Sequence, residues 1–164
     1  MLIDTHTHLY DEQFDTDRTA AVEKAIQQGV SKFLLPNCDS QTINGMLALE
    51  MEFPEHCFAM MGLHPCYVKE NADEELKVME TWLQKRKFIA VGEIGLDYYW
   101  DKTFVAEQKR AFRMQIEWAL QYNIPVVIHT REATRDTLEI IQEYKSQGLT
   151  GVFHCFSGSE ESAR

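Results

Sequence analysis

Phe88-Ile89-Ala90-Val91-Gly92-Glu93-Ile94-Gly95-Leu96-Asp97-Tyr98-Tyr99 decides the fold. The stretch begins as an unbroken apolar run, the pattern of a strand buried on both faces of a parallel sheet. A carboxylate between glycines then interrupts it. The pattern predicts a strand over Phe88 to Glu93, with Glu93 where the strand runs out into a loop. Parallel α/β folds bind ligands at the carboxyl ends of their strands. A Glu in that place is costly to desolvate unless a cation or hydrogen bonds compensate it. Taken alone, Glu93 reads either as such a site or as a cap on the N–H groups of the next loop.

The same unit recurs on both sides. Leu2-Ile3 is a short apolar strand, followed by a helix from Asp15 or Asp17 to about Gln28, with Ala21, Val22, Ala25 and Ile26 inward and Gly29 at its end. Lys32 to Pro36 and Cys57 to Leu63 read as strands, and Asp39-Ser40 opens the helix between them. Asp73 to Lys87 is a helix with Leu76, Met79 and Leu83 inward. An aromatic loop spans Gly95 to Lys102, then a helix Thr103 to Tyr122 and a strand Ile124 to Ile128. A helix over Ala133 to Lys145, with Leu138, Ile141 and Tyr144 inward, leads to a strand at Gly151-Val152-Phe153 and a helix start near Ser159. Six strand-then-helix units argue for an α/β fold with a parallel sheet.

Composition narrows the class. The chain has 164 residues, enough for one full core. No apolar run approaches the roughly 18 residues of a membrane span, and Met1-Leu2-Ile3-Asp4 does not read as a signal peptide. Cys38, Cys57, Cys66 and Cys155 show no CxxC spacing, so reduced thiols in the cytoplasm are expected. A net charge of -10 disfavours a broad basic surface for nucleic acid. A phosphate substrate would need positive potential from metal ions or from a few Arg and Lys side chains.

Such ions have candidate ligands. His6 and His8 are two apart in an extended segment, so they share a side and can grip one cation; loop histidines bonded to backbone give the same pattern. His64 precedes Pro65 and is either a phosphate contact or a turn residue. Arg131 suits a phosphate or carboxylate, or else pairs with Glu132 or Asp136. Tyr98, Tyr99 and Trp100 either stack on bases or cover the open end of the sheet. Four of the six strand ends carry His or Glu: His6 and His8, Glu93, His129, and His154. Packing does not explain this, because buried imidazoles need partners. Mixed His and carboxylate donors suit Zn²⁺ or Mn²⁺ and tolerate Mg²⁺. Five ligands exceed one tetrahedral ion with an open position, so two ions bridged by Glu93 are expected. Two ions about 3.5–4 Å apart can activate water and stabilise the leaving oxygen of a phosphodiester.

The segments DTHTHL (4–9), GLHP (62–65), VGEIGLDYY (91–99), IPVVIHTREA (124–133) and FHCFSG (153–158) resemble those of the TatD family of metal-dependent deoxyribonucleases. That family falls among the amidohydrolase-like metallo-hydrolases. The resemblance covers the whole chain. It implies a (β/α)8 TIM barrel, of which about six βα units are present here as one domain over 1–164. A barrel of this class has about 250 residues, so the chain is expected to be the first two-thirds of one, with an open seam. By matching motifs, His6 and His8 would hold one ion, His129 and His154 the other, and Glu93 would bridge them. The resemblance also implies Mg²⁺-, Mn²⁺- or Zn²⁺-supported hydrolysis of DNA, often from a 3′ end, and a role in DNA repair. Two departures stand out: many members have His where this chain has Cys66, and a further Asp, an ion ligand and general base, is expected beyond the chain end. The same ion chemistry also serves other esters, including D-aminoacyl-tRNA. A metal-binding fragment without turnover is the remaining alternative.

Overall fold

The computed structural model describes residues 1–163. Strands β1 (Leu2–Asp4), β2 (Val30–Leu35) and β3 (Cys57–Ala59) form one parallel sheet, and β4 (Val91–Asp97), β5 (Val126–Arg131) and β6 (Gly151–Phe153) form another. A parallel bridge between Met61 and Val91 joins the two. Helices α1 (Arg18–Gln27), α2 (Ile43–Glu52), α3 (Ala72–Lys85), α4 (Val105–Tyr122), α5 (Thr134–Tyr144) and α6 (Glu160–Ala163) follow the strands in turn. The chain thus lays down six parallel βα units of the (β/α)-barrel type. Because every pairing is parallel, all six carboxyl ends share one side. The array curls far enough for His6, beyond β1, to stack on His154, beyond β6, with ring centroids 3.5 Å apart.

The core accounts for the curl. All seven residues of β4 are buried, as a strand covered on both faces requires. Phe33 and Leu35 of β2, Met46 of α2, Met79 of α3 and Phe112 of α4 pack in the same apolar cluster. Truncating a fully buried Phe to Ala in such a core costs about 3–5 kcal/mol. Among the described residues β1 pairs only with β2 and β6 only with β5. Leu2, Ile3 and Val152 on these strands are exposed.

Several boundaries differ from the sequence-based expectation. β4 does not stop at Glu93; its ladder with β5 continues through Gly95–His129, Leu96–Thr130 and Asp97–Arg131. Gly95 makes this possible. Its φ is +140°, and a Cβ there would lie 2.0 Å from the His129 carbonyl oxygen, so only glycine lets the strands pass. β5 likewise runs beyond Ile128, making His129 and Arg131 strand residues. β3 ends at Ala59, short of Leu63. Asp17 flanks α1 without a side-chain cap bond, while Asp15 pairs with Arg18. Asp39 accepts from the Gln41 and Thr42 amides in the turn before α2, which starts at Ile43. On α5 the buried stripe is Thr137, Ile140 and Tyr144, one residue off the expected Leu138 and Ile141.

Candidate metal centre

Glu93 is the focus of the carboxyl-end face. It is 2% exposed, and the backbone around it is pinned: Asn37, wholly buried beyond β2, accepts from the Glu93 amide at 3.3 Å and donates to Gly92 O at 3.1 Å. The Asn37 side chain in turn holds Gly62 O at 2.8 Å. Three imidazoles face the Glu93 carboxylate. His6 Nε2 lies 3.1 Å from Oε2, His64 Nε2 3.7 Å from Oε2, and His129 Nδ1 3.3 Å from Oε1. Burial pushes the Glu93 carboxyl up, but His129, His6 and His64 outweigh it and hold the group well below the usual carboxylate range.

Each ring has its own hydrogen-bond setting, and this fixes what it can do. His64 Nδ1 accepts the Cys66 amide at 3.1 Å, as the cap of a 3-10 turn over Pro65–Tyr67. The neutral ring therefore carries its proton on Nε2, which faces Glu93 as a donor. Burial pushes His64 down to about 4, with Glu93 opposing and His129 adding to the drop, so this neutral form prevails at physiological pH. His129 is the reverse case. Its Nε2 lies 2.8 Å from Asp97 Oδ2 and donates to that carboxylate, leaving Nδ1 toward Glu93. A bare Nδ1 lone pair against a carboxylate is repulsive, so a proton or a cation belongs between them. Burial pushes His129 down, but Glu93 and Asp97 prevail and raise it, as for a ring protonated between two carboxylates. Asp97 itself is 1% exposed. Burial raises its carboxyl, but His129 and the Trp100 and Tyr99 amides hold it below its ordinary value.

The geometry brings four of the five expected donors, His6, His8, Glu93 and His129, into two sets, and adds His64, a residue expected only as a substrate contact. His6, His8 and Glu93 offer ligand atoms within 4.8 Å of one another, and so do His64, Glu93 and His129. In the second set His64 presents an N–H rather than a lone pair, which suits it to an oxygen and not to an ion. His154 belongs to neither set; it stacks on His6 and, like His6, His8, Glu93, His129 and Arg131, lines a cavity of about 460 Å³ at the mouth. The site fits divalent cations. Glu93 Oε1 and His6 Nδ1 are buried and make no well-formed hydrogen bond among the described residues; Oε1 has only the His129 Nδ1 contact at 3.3 Å, a costly state for a carboxylate that a cation would relieve. The donors are mixed nitrogen and oxygen, the set that Zn²⁺ and Mn²⁺ accept.

Arg131 makes neither of its expected ion pairs. Asp136 is taken by Lys109 at 2.6 Å and by the Tyr98 hydroxyl at 2.7 Å. The Arg131 guanidinium lies instead over the Tyr99 ring, 3.7 Å from its centroid, and 5.3 Å from that of Trp100. It thus keeps its donors for the cavity. Sequence reasoning missed Asp97 and two buried amides of α4. Gln108 clamps the Asp97 backbone through 2.9 and 3.1 Å bonds, and Gln115 clamps Leu63, next to His64, through 2.7 and 3.2 Å bonds. Gln108 and Gln115 are seven apart, on one face of the helix, a spacing that could have marked them.

Imidazoles around a buried carboxylate, at the carboxyl ends of parallel βα units, define a candidate metal centre on a barrel-type fold. The chain belongs to the family of TatD-related DNases, whose pattern matches residues 3–164. It is 38% identical over 164 residues to a Bacillus subtilis protein named uncharacterized metal-dependent hydrolase YabD, covering 100% of this chain and 64% of that one. It is 27% identical to the 3'-5' ssDNA/RNA exonuclease TatD of Erwinia tasmaniensis, covering 96% of this chain and 61% of that one. The crystal structure of YjjV, a TatD homologue from Escherichia coli, superposes with a TM-score of 0.87 at 33% identity, over 99% of this chain and 62% of that one. The chain therefore spans just under two thirds of these relatives' length. No helix among the described residues is long and apolar enough to cross a membrane.

Proposed function

We propose that the chain carries the ion-binding centre of a nuclease that hydrolyses DNA from an end or in single-stranded form. The observation that supports this most is Glu93, a buried carboxylate with an oxygen that lacks a well-formed hydrogen bond and imidazoles on both sides. In this reading Glu93, His6, His8, His129 and His154 would hold two divalent ions, Mg²⁺, Mn²⁺ or Zn²⁺. Ions held there would supply a lowered water pKa and stabilisation of developing charge on phosphoryl oxygens. Asp97 orients His129. His64 donates its Nε2 proton to a phosphate oxygen, and Arg131, steadied by Tyr99 and Trp100, binds a neighbouring phosphate. With a net charge of -10, the protein relies on these few cationic points, which favours short contacts near a strand end. The four cysteines are all free, in keeping with a reducing compartment such as the cytoplasm, and DNA repair is a process such an activity would serve.

Glu93→Ala tests this reading. Nucleotide release from single-stranded DNA with Mg²⁺, Mn²⁺ or Zn²⁺ is expected to fall by more than about 100-fold, beyond the loss typical of an outer-shell partner. A variant that cuts as fast as the parent refutes the assignment. The relatives named simply as metal-dependent hydrolases are more similar to this chain than those named as exonucleases. Hydrolysis of another ester, such as D-aminoacyl-tRNA, with inert DNA would therefore redirect the substrate assignment and leave the ion site in place.

A further inference from the structure

His8 has a different kind of support from His129, and it comes from a tyrosine. Tyr10 is 6% exposed and lies just past β1 in the loop that carries both residues. Its hydroxyl bonds to the Pro36 carbonyl, at the end of β2, and lies 2.7 Å from His8 Nδ1. A hydroxyl has one proton, and a carbonyl can only accept. The Tyr10 proton therefore goes to Pro36, and the Tyr10 oxygen accepts from His8. The His8 proton must then sit on Nδ1, and the lone pair on Nε2. Cys38 Sγ, 3.7 Å from both the Tyr10 oxygen and His8 Nδ1, is a weaker neighbour that does not alter this order.

The surrounding backbone holds the relay in place. Arg18 of α1 donates to the carbonyls of Leu9, Tyr10 and Asp11 at 2.9, 2.9 and 3.0 Å, gripping three consecutive loop residues. The Asp11 amide closes a turn onto His8 O at 2.8 Å. The loop rests on Gly45 of α2, where a Cβ would sit 3.4 Å from Tyr10 O and crowd it. These contacts over-determine the position of the phenol, and so the plane of the His8 ring.

We propose that Tyr10 is a positioning residue that fixes His8 in its Nδ1–H form and so presets Nε2 as a cation ligand. The proposal rests on the reading of His8 as a ligand. The relay is neutral from end to end, whereas Asp97 brings a charge to His129. The two halves of the centre are therefore oriented by different chemistry, one by a carboxylate and one by a phenol that donates its hydrogen bond to a main-chain carbonyl. Outer-shell partners of this kind are worth about 10–100-fold in metal affinity.

The test combines ring tautomers with metal binding. Long-range ¹H–¹⁵N correlation spectra of the metal-free wild type are expected to show His8 protonated at Nδ1 with an unprotonated Nε2. In Tyr10→Phe that preference is expected to be lost and binding of Mn²⁺ or Zn²⁺ to weaken by about 10–100-fold, while Cys38→Ala changes neither. Should Tyr10→Phe not fold, the wild-type spectrum still decides, since an Nε2–H ring at His8 overturns the proposal. Wild-type affinity in a folded Tyr10→Phe, beside weakened binding in His8→Ala, overturns it and leaves His8 as a ligand. Unchanged binding in both variants overturns the ligand reading of His8 and the proposal with it.

Discussion

Asp97→Asn separates the ion-binding role of His129 from its structural one. In the native chain Asp97 Oδ1 accepts the Tyr99 and Trp100 amides at 2.9 and 3.1 Å, and Oδ2 faces His129 Nε2 at 2.8 Å. Asn must keep its oxygen toward the two amides, because both are donors. Its NH2 group then meets the Nε2–H of His129, donor against donor. The neutral ring escapes by moving its proton to Nδ1, which lies 3.3 Å from Glu93 Oε1. The nitrogen meant for a cation is thereby capped. The expected loss in Mn²⁺ or Zn²⁺ affinity is about 10–100-fold, equivalent to about 1.4–2.8 kcal/mol, measured by calorimetric titration at neutral pH. The metal-free protein should lose about 1.5–3 kcal/mol, the range for a hydrogen bond to a charged group. The sign with pH follows from His129, whose folded pKa lies above its unfolded value. Its contribution is complete below about pH 6.5 and fades as pH rises through the raised folded value, so the stability gap between parent and variant should narrow at alkaline pH. Native metal affinity in a folded Asp97→Asn, or a gap that widens as pH rises, would refute the reasoning.

His64 gives the opposite pH signature. Its folded pKa of about 4 lies below the ordinary 6.5, so its contribution is full above pH 6.5 and is lost as pH falls toward 4, by about 3 kcal/mol at most. His64→Asn keeps an acceptor for the Cys66 amide and removes the titration; urea melts of the metal-free variant should match the parent at pH 7.5 to within about 1 kcal/mol and fall less steeply toward pH 4.5, whereas parallel curves would rule the account out. Gly95→Ala would force a Cβ to 2.0 Å from the His129 carbonyl in a left-handed conformation, so a loss above about 4 kcal/mol is expected. A urea midpoint near that of the parent would mean that β4 and β5 do not approach so closely at Gly95.

Much of this centre is visible in the chain because its donors interrupt otherwise apolar strands. His6 and His8, Glu93, His129 and His154 each follow an apolar run, and parallel topology sends them to one side. Asp97 was harder to see, since ending β4 at Glu93 turned it into a loop residue. The period-two series Glu93, Gly95, Asp97 carried the information, because residues two apart in a strand share a face. On α5 hydropathy favoured Leu138 over Thr137, yet Thr137 is the buried one, its hydroxyl satisfied by Ala133 O and placed 3.0 Å from Thr130 Oγ1. Local patterning cannot show such pairings. The protonation settings of His64 and His129 depend on partners Cys66 and Asp97, whose geometry emerges only in three dimensions.

The stack of His6 on His154 has a thermodynamic consequence. These two rings follow β1 and β6, so their contact joins two strands that no hydrogen-bonded ladder links among the described residues. A cation held by His6, His8 and Glu93 would tie the end of β1 to β4 beside that contact. Ligand binding to the folded form at a thousand times its dissociation constant stabilises by about 4 kcal/mol, and here an ion held by His6, His8 and Glu93 would place that gain on the contact between the β1 end and β4. Ion loading thus doubles as a check on assembly: a chain in which the β1 end has moved away from Glu93 loses the site before it loses the core.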